Sequence, residues 1–331
     1  MKRLVVGSLL CAVLYLAEGE AFAKEYALEN VNGIDFSDEE IEQLFSLAFT
    51  KDEILNMTED EWNQNKNLEG FETVEVEQYL KITETVPEGF EETILSIETG
   101  DPETEESSLI QRKLQTSIDS VIETEIELIS KEEFERESLS GSEYQVSANP
   151  TKSTSYKKMT TSITSLGNKK YRVKNNITWT KMPSMRMTDV NAVSIRSSDV
   201  RPVGGEYGKQ TWKYKVTPRT HYKTGSAEYK SSSNKWKYQA SGYSLKQNLK
   251  NDYKDRLSQQ SYQVVELNLY MYYTIQQDGK ASYIDAYGGY AHRTNPANAS
   301  IGISTGGLSL SVTPSGYFSH HPTTHAALKV R

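Results

Sequence analysis

The 331-residue chain is 36% hydrophobic and 10% aromatic, enough for a folded core, and its mean hydropathy of -0.63 keeps that core lean. Its one cysteine, Cys11, lies in the N-terminal apolar run, so the rest of the chain can hold no disulfide, thiolate metal site or cysteine nucleophile. The formal net charge of -8 conceals a division: residues 24–150 carry 34 Asp and Glu against 8 Lys and Arg, a net -26, whereas residues 151–331 carry 9 against 27, a net +18. Like charges gathered in this way repel, so each half calls for a neutralising partner.

In chain order, Lys2 and Arg3, an apolar run from Leu4 to Ala17 and the triplet Ala21-Phe22-Ala23 have the three parts of a secretory signal peptide, with cleavage expected after Ala23. The apolar run stops at Glu18, short of the about 20 residues a spanning helix needs. Residues 24–70 read as a small helical module. Ser37 with Glu40, Thr50 with Glu53 and Thr58 with Glu61 each match the capping box, so three short helices are expected. Their inner faces would hold Ile41, Leu44, Phe45 and Ala48, then Ile54 and Leu55, then Trp62, too few anchors to stand alone.

Residues 71–150 read as an acidic connector. Val74, Val76, Leu80 and Ile82 alternate with polar residues as in a strand, and Val86 to Thr104, broken by prolines and glycines, reads as loop. Leu109 to Phe134 carries both helical and strand spacing, and helix is the expectation. A Ser-, Gly- and Asn-rich stretch with Pro150, where the charge sign flips, sets a domain boundary.

Beyond it, residues 151–331 read as a basic β-domain rich in Tyr and Lys. Its seed is a hairpin, Tyr156 to Leu166 and Tyr171 onward, joined at Gly167-Asn168. Tyr171, Val173, Ile177 and Trp179 would face a core, and Arg172, Lys174, Asn176 and Thr178 would stay wet. Trp212, Tyr214 and Val216 alternate with lysines, as do Trp236, Tyr238 and Ala240, with a bulge expected at Gly242. Tyr262 to Ile275, apolar on both faces, reads as a central strand, and Ile301 to Val312 as a last hairpin. The expected fold class is α+β: a small N-terminal helical region and a mainly antiparallel β-sandwich or flattened barrel.

The candidate chemistry is sparse, and no residue is assigned as catalytic. Gly302 to Gly306 matches G-x-S-x-G, but a strand follows the serine where a nucleophile elbow needs a helix. His320, His321 and His325 are weak metal candidates, because Pro322 breaks the helix that would align them. Of the few acids in the basic half, Asp189 and Asp285 are the first to test for a catalytic pair. Trp212-Lys213-Tyr214-Lys215 and Lys235-Trp236-Lys237-Tyr238 form candidate cationic aromatic binding faces. No cofactor is implied. Two partners follow from charge: an anionic cell-wall polymer or anionic lipid, and the acidic N-terminal region docking on the basic domain of the same chain. Nucleic acid is disfavoured for an exported chain.

The stretches DFSDEEIEQLFSLAFTKDEILNMTEDEW and KKYRVKNNITWTKMPSMRMTDVNAVSI resemble a group of uncharacterised exported proteins of Bacillus-type Gram-positive bacteria. Their tryptophan, proline, arginine and aspartate pattern falls on Trp179, Pro183, Arg186 and Asp189. The resemblance implies secretion and a shared fold, with these four in structural roles and Arg186 and Asp189 as an ion pair at the hairpin turn. It implies no activity. The expected function is therefore non-enzymatic: a secreted protein, or one held at the cell wall, that binds an anionic envelope component. The alternative is a secreted toxin or antimicrobial whose acidic segment masks the basic domain.

Overall fold

The computed structural model describes residues 29–85, 122–139, 152–196, 199–255, 257–295, 301–306 and 309–330. The expected signal peptide, the loop expected over Val86 to Thr104 and the boundary stretch 140–151 lie outside the described residues. Three short helices come first: α1 (Asp38–Ser46), α2 (Lys51–Leu55) and α3 (Glu59–Asn65). Ser37 and Thr50 close full capping boxes with Glu40 and Glu53. Thr58 accepts the Glu61 backbone N–H, but the Glu61 side chain is engaged elsewhere, so the third box is half made.

The rest is mostly antiparallel β-sheet, and no barrel closes among the described residues. The large sheet runs β2 (Glu123–Ile129), β1 (Glu72–Thr85), β3 (Lys152–Ser165), β4 (Lys170–Lys181), β11 (Ser261–Gln277), β6 (Val200–Thr217), β7 (His221–Lys230), with β10 (Tyr253–Lys254) beside one end of β11. The second sheet runs β15 (Phe318–His320), β12 (Tyr283–Arg293), β5 (Thr188–Ile195), β9 (Gly242–Asn248), β8 (Trp236–Gln239), with β16 (Thr324–Lys329) also on β12. A separate hairpin joins β13 (Gly302–Gly306) to β14 (Ser309–Thr313).

Composition places a boundary near residue 150, yet the sheet crosses it. Strand β1 pairs with β3 along its whole length, from Glu72 opposite Ser165 to Thr85 opposite Lys152. The change of charge sign thus separates neighbouring strands of one sheet. Of the helix expected over 109–134, residues 109–121 lie outside the described residues, and the described part is corrected. Residues 123–129 form β2, where Ile126 pairs with Ile82, and helix α4 (Lys131–Leu139) follows. The alternation of Ile126 and Leu128 with glutamates was the stronger signal.

The two large sheets pack face to face. Ile163, Val173 and Ile275 of one meet Val193, Leu245, Ile284 and Leu328 of the other. Met159, Ile177, Trp179 and Leu269 fill the far end with Tyr290. The β13–β14 hairpin covers the outer face of the second sheet, putting Ile303 and Val312 on Val190 and Ala291. Helices α1–α3 cover the outer face of the large sheet, with Leu44, Leu47, Phe49, Ile54 and Met57 on Tyr207, Tyr270 and Tyr272. Phe45, expected inside, is exposed, while Leu47, Phe49 and Met57 take inner positions beyond the periodic ones.

Strand β4 is therefore not half wet. Arg172, Lys174 and Asn176 are as buried as Val173 and Ile177, because the helices lie on their side of the sheet. Two turns also differ from expectation. The β3–β4 loop has three left-handed residues, Gly167, Asn168 and Lys169, closed by Leu166 N–H donating to the Lys170 carbonyl. Gly242 begins a new strand rather than a bulge: Gln239 stands opposite it, so β8 and β9 form a two-residue hairpin. Strand β11 lies between β4 and β6 and is covered on both faces, as its sequence implies.

At Gly288 on β12 the sheets approach too tightly for a side chain. A Cβ there would sit 1.9 Å from Thr161 Oγ1 and 2.5 Å from both Asn175 Oδ1 and Thr324 Oγ1. Gly288→Ala is expected to destabilise the fold by about 1–3 kcal/mol, the usual range for overpacking, as read from urea denaturation midpoints.

Candidate functional site

Four polar constellations stand out: the face beneath the helices, a cleft beside it, the β6–β7 end of the large sheet, and a cluster between the sheets. Beneath the helices, outward-facing residues of three strands line up in register. Asn176 lies opposite Tyr270, and Tyr270 opposite Lys209; Lys174 lies opposite Tyr272, and Tyr272 opposite Tyr207. Lys174 Nζ pairs with Glu53 Oε2 at 2.5 Å and donates to the Ala48 carbonyl at 2.8 Å. Asn176 donates to the other Glu53 oxygen at 2.6 Å. Lys209 Nζ lies 3.2 Å from Glu61 Oε2, with both side chains at 0% exposure, and Tyr270 donates to Glu61 Oε1 at 2.7 Å.

Arg172 has no carboxylate of its own. It donates from Nη2 to Asn65 Oδ1 and stacks 4.5 Å above the Tyr272 ring, while its Nε and Nη1 find no hydrogen-bond partner. Three buried cations thus face two buried carboxylates, Glu53 and Glu61. Aromatic faces supply part of the difference: Lys174 lies 5.1 Å from the Phe49 ring and 5.3 Å from Tyr270. Burial raises the Glu61 carboxyl above its usual range, against the pull of Lys209 and Tyr270.

A cleft of about 210 Å³ opens beside this face. Its floor is the outer surface of β1, β3, β4 and β11, and Thr50 and Asp52 form one wall. Glu75 stands opposite Ser162, and Ser162 opposite Lys174. Glu77 and Thr160 continue the pattern, and Thr178 stands opposite Asn268. Lys158 pairs with Glu77 at 3.1 Å. Displacement of water raises the Glu75 carboxyl, with Glu77 and Glu53 adding to the rise; displacement of water and then Asp52 raise Glu266.

At the β6–β7 end lysines meet rings rather than acids. Lys213 Nζ lies 4.8 Å over Tyr222, Lys223 5.3 Å over Tyr262, and Lys250 4.8 Å over Trp212. Tyr253 stacks on Tyr262 at 4.4 Å, and Tyr214 meets both edge-on. Tyr222 and Tyr253 are 57% and 47% exposed. The two expected tetrads do not share one face: Trp212 to Lys215 lie on the large sheet and Trp236 to Tyr238 on the second. Tyr214 and Trp236 are core residues, while Lys235, Lys237 and Tyr238 are exposed.

Between the sheets, His292 sits between two carboxylates. Its Nδ1 lies 2.8 Å from Asp189 Oδ2 and its Nε2 3.4 Å from Glu84 Oε1, all of them buried. Tyr290 donates to Asp189, and the Arg293 backbone N–H donates to Asp189 Oδ1 at 3.0 Å. Burial works against a charged His292, but Asp189 and Glu84 prevail and push its pKa up to about 10. Lys157 lies 4.2 Å over the Tyr290 ring with no hydrogen bond to Nζ, and burial holds its pKa well below the usual value. Both ring nitrogens of His321 are buried without partners. Both His292 nitrogens face carboxylates, so the imidazole has no hydroxyl to activate, and the pattern is structural.

Asp189 is therefore not the partner of Arg186, which pairs with Asp252 at 2.8 Å. Strand β5 turns Asp189 inward, so the sequence neighbours part. Trp179 is fully buried and Pro183 is buried. Asp285 bonds to His325 at 2.8 Å, far from the Asp189 cluster in register along β12. His320 and His325 are exposed while His321 is buried, so the histidine run does not converge. Ser304 lies on β13 within a hairpin, which removes the elbow reading.

No protein-family model matches the chain, and no curated protein matches it. Among solved structures, the C-terminal domain of the Streptococcus pyogenes antigen I/II-family protein AspA is similar at 10% identity, over 78% of this chain and 92% of that one, with a TM-score of 0.26. A pore forming protein is similar at 6% identity over 52% and 84%, with a TM-score of 0.24. The KRT10-binding region domain of the pneumococcal serine rich repeat protein PsrP gives 17% over 41% and 77%, with a TM-score of 0.20. Likeness at this level establishes neither fold nor function.

Two measurements follow. Glu61→Ala leaves Lys209 buried and unpaired and is expected to cost about 3–5 kcal/mol in urea denaturation, whereas the paired change Glu61→Leu with Lys209→Met loses far less. For His292, whose folded pKa is raised from 6.5 to about 10, the stabilisation is full below pH 6.5 and lost as pH rises through about 10. The stability gap between the wild type and His292→Gln should therefore narrow steadily across that window.

Proposed function

We propose that the protein is an exported, non-enzymatic β-sandwich protein that binds an anionic envelope component through the β6–β7 end of its large sheet. The observation that carries this reading is the unequal fate of the lysines. Those at the centre of the sheet are taken up by Glu53 and Glu61, whereas Lys213, Lys223 and Lys250 stand over rings, with no carboxylate in ion-pairing range among the described residues. Ammonium groups held on aromatic faces, beside the exposed rings of Tyr222 and Tyr253, suit phosphate-rich polymers and lipid headgroups, which take up the charge while the rings supply apolar contact. The leader-like N-terminus supports export, and no helix among the described residues is long and apolar enough to cross a membrane.

The masked-toxin reading has one observation in its favour. Lifting α1–α3 would uncover Arg172, Lys174, Lys209 and three tyrosines, a second cationic aromatic face. Against it stand the apolar contacts and two buried ion pairs that such a release must break.

The test uses the full chain with vesicles of phosphatidylglycerol and phosphatidylcholine, and with purified teichoic acid. Binding to the anionic targets should weaken as salt rises and be absent on pure phosphatidylcholine. Lys213→Gln, Lys223→Gln and Lys250→Gln together should reduce it by about 3 kcal/mol, or more than a hundredfold, at about 1 kcal/mol per lysine near an anionic surface. Equal binding by this variant would overturn the assignment.

A further inference from the structure

The geometry points to the cleft between α2 and the outer face of β1, β3, β4 and β11 as a second binding site, one that takes a single amino-sugar unit with a free, protonated amine. It is separate from the β6–β7 end and does not depend on that surface binding anions.

Charge comes first. Asp52, Glu75 and Glu266 all line the cleft, and none pairs with a cation among the described residues. The two lysines present are already engaged, Lys158 by Glu77 and Lys174 by Glu53. The cleft therefore presents surplus negative charge, and a cation placed there would relieve both the crowding of carboxylates and their desolvation. These acids do not converge on a point: no group of three among the described residues could hold a metal ion. A bare metal ion is therefore a poor match, and an organic cation that also uses the floor of the cleft is a better one.

The floor then selects among organic cations. Ser162 is 3% exposed, yet its side chain lines the cleft, and its hydroxyl bonds to no other group among the described residues. An unpartnered hydroxyl on a residue otherwise withdrawn from solvent, and open to the cleft, is a waiting hydrogen-bond position. Thr160, Thr178 and Asn268 carry the same hydroxyl and amide character across the floor. Such a surface offers donors and acceptors to a ring of hydroxyls, and its apolar contact comes from Ala48 and the carbon stems of polar side chains, which suits the faces of a sugar ring. The volume, about 210 Å³, lies below the about 300–1,000 Å³ of sites for drug-sized ligands, which limits occupancy to one ring at a time.

The experiment is isothermal titration of the full chain with glucosamine, a β-linked glucosamine trisaccharide, its N-acetylated counterpart and lysine amide. Both aminated sugars should bind, and N-acetylation should weaken binding at least tenfold. A trisaccharide that binds more tightly than the monomer identifies a polymer as the source, and equal affinity identifies the free sugar. Glu75→Gln and Glu266→Gln should each weaken binding about tenfold, the usual loss of a charge-assisted contact, without lowering the melting temperature, because neither carboxyl makes an ion pair among the described residues. The triple lysine variant of the β6–β7 end should bind aminated sugar normally, which separates failure of one site from failure of the other. No binding, equal binding of the acetylated sugar, equal binding of lysine amide, or full affinity in both Gln variants would each overturn the proposal.

Discussion

The structure turns on the burial of Lys174, Lys209 and Arg172 beneath three short helices. A sheet face bearing these cations cannot be covered by an apolar layer, because an unpaired charge withdrawn from water costs several kcal/mol. It can be covered by a layer that brings carboxylates at matching positions. Helices α2 and α3 do this with Glu53 and Glu61, each at the third helical position of its capping motif. Glu53 also accepts from the Thr50 backbone, so one carboxylate caps its helix and anchors it to the sheet. Glu61 gives up the return half of its box to reach Lys209 and Tyr270, and the helix keeps only the Thr58 cap. The helical module is thereby a layer of the fold rather than an appendage.

The same constraint explains how two halves of opposite charge coexist in one sheet. Acidic β1 lies beside basic β3, and Lys158 meets Glu77 across the pair. Lys230 at the far edge reaches Asp60 of α3. Neutralisation is local where the acidic segments lie, and it thins toward the end of the sheet where β6 turns into β7. The residual positive field is thus concentrated at one end, where tyrosine faces take the place of carboxylates. The cleft has the reverse imbalance, because its lysines are drawn off by Glu77 and Glu53 and leave Asp52, Glu75 and Glu266 uncompensated.

Much of the fold is legible in the sequence because it rests on local signals. Capping boxes mark all three helix starts, and alternation marks β1, β4, β6 and β11. What is not legible depends on a second layer that no local pattern announces. Arg172, Lys174 and Asn176 alternate as solvent-facing residues would, and only the position of α1–α3 reveals them as buried. Gly242 reads as a bulge because a two-residue hairpin and a phase shift leave the same trace in sequence. The cleft escapes sequence reading for a related reason. Glu75, Ser162, Thr178 and Glu266 lie on four strands of which only β3 and β4 are neighbours in the chain, and what unites them is register. Asp189 was marked as a residue of interest, but its partners His292 and Tyr290 lie about a hundred residues away.

Burial also separates the polar groups that can act from those that cannot. The Asp189, His292 and Glu84 cluster contains a charged imidazole, two carboxylates and, nearby, an amine without a hydrogen bond, the ingredients of many reaction centres. It is sealed between two sheets and flanked by Trp179 and Tyr290, so its charges serve one another. Such a cluster fixes how the sheets are set against each other, since only one register satisfies Asp189 from a ring, a phenol and a backbone amide together. The outer cleft and the β6–β7 end have the opposite character: their charges are incompletely answered within the molecule, and solvent reaches them. Recognition belongs to surfaces of that kind, because a ligand gains only from groups that the fold has left unsatisfied.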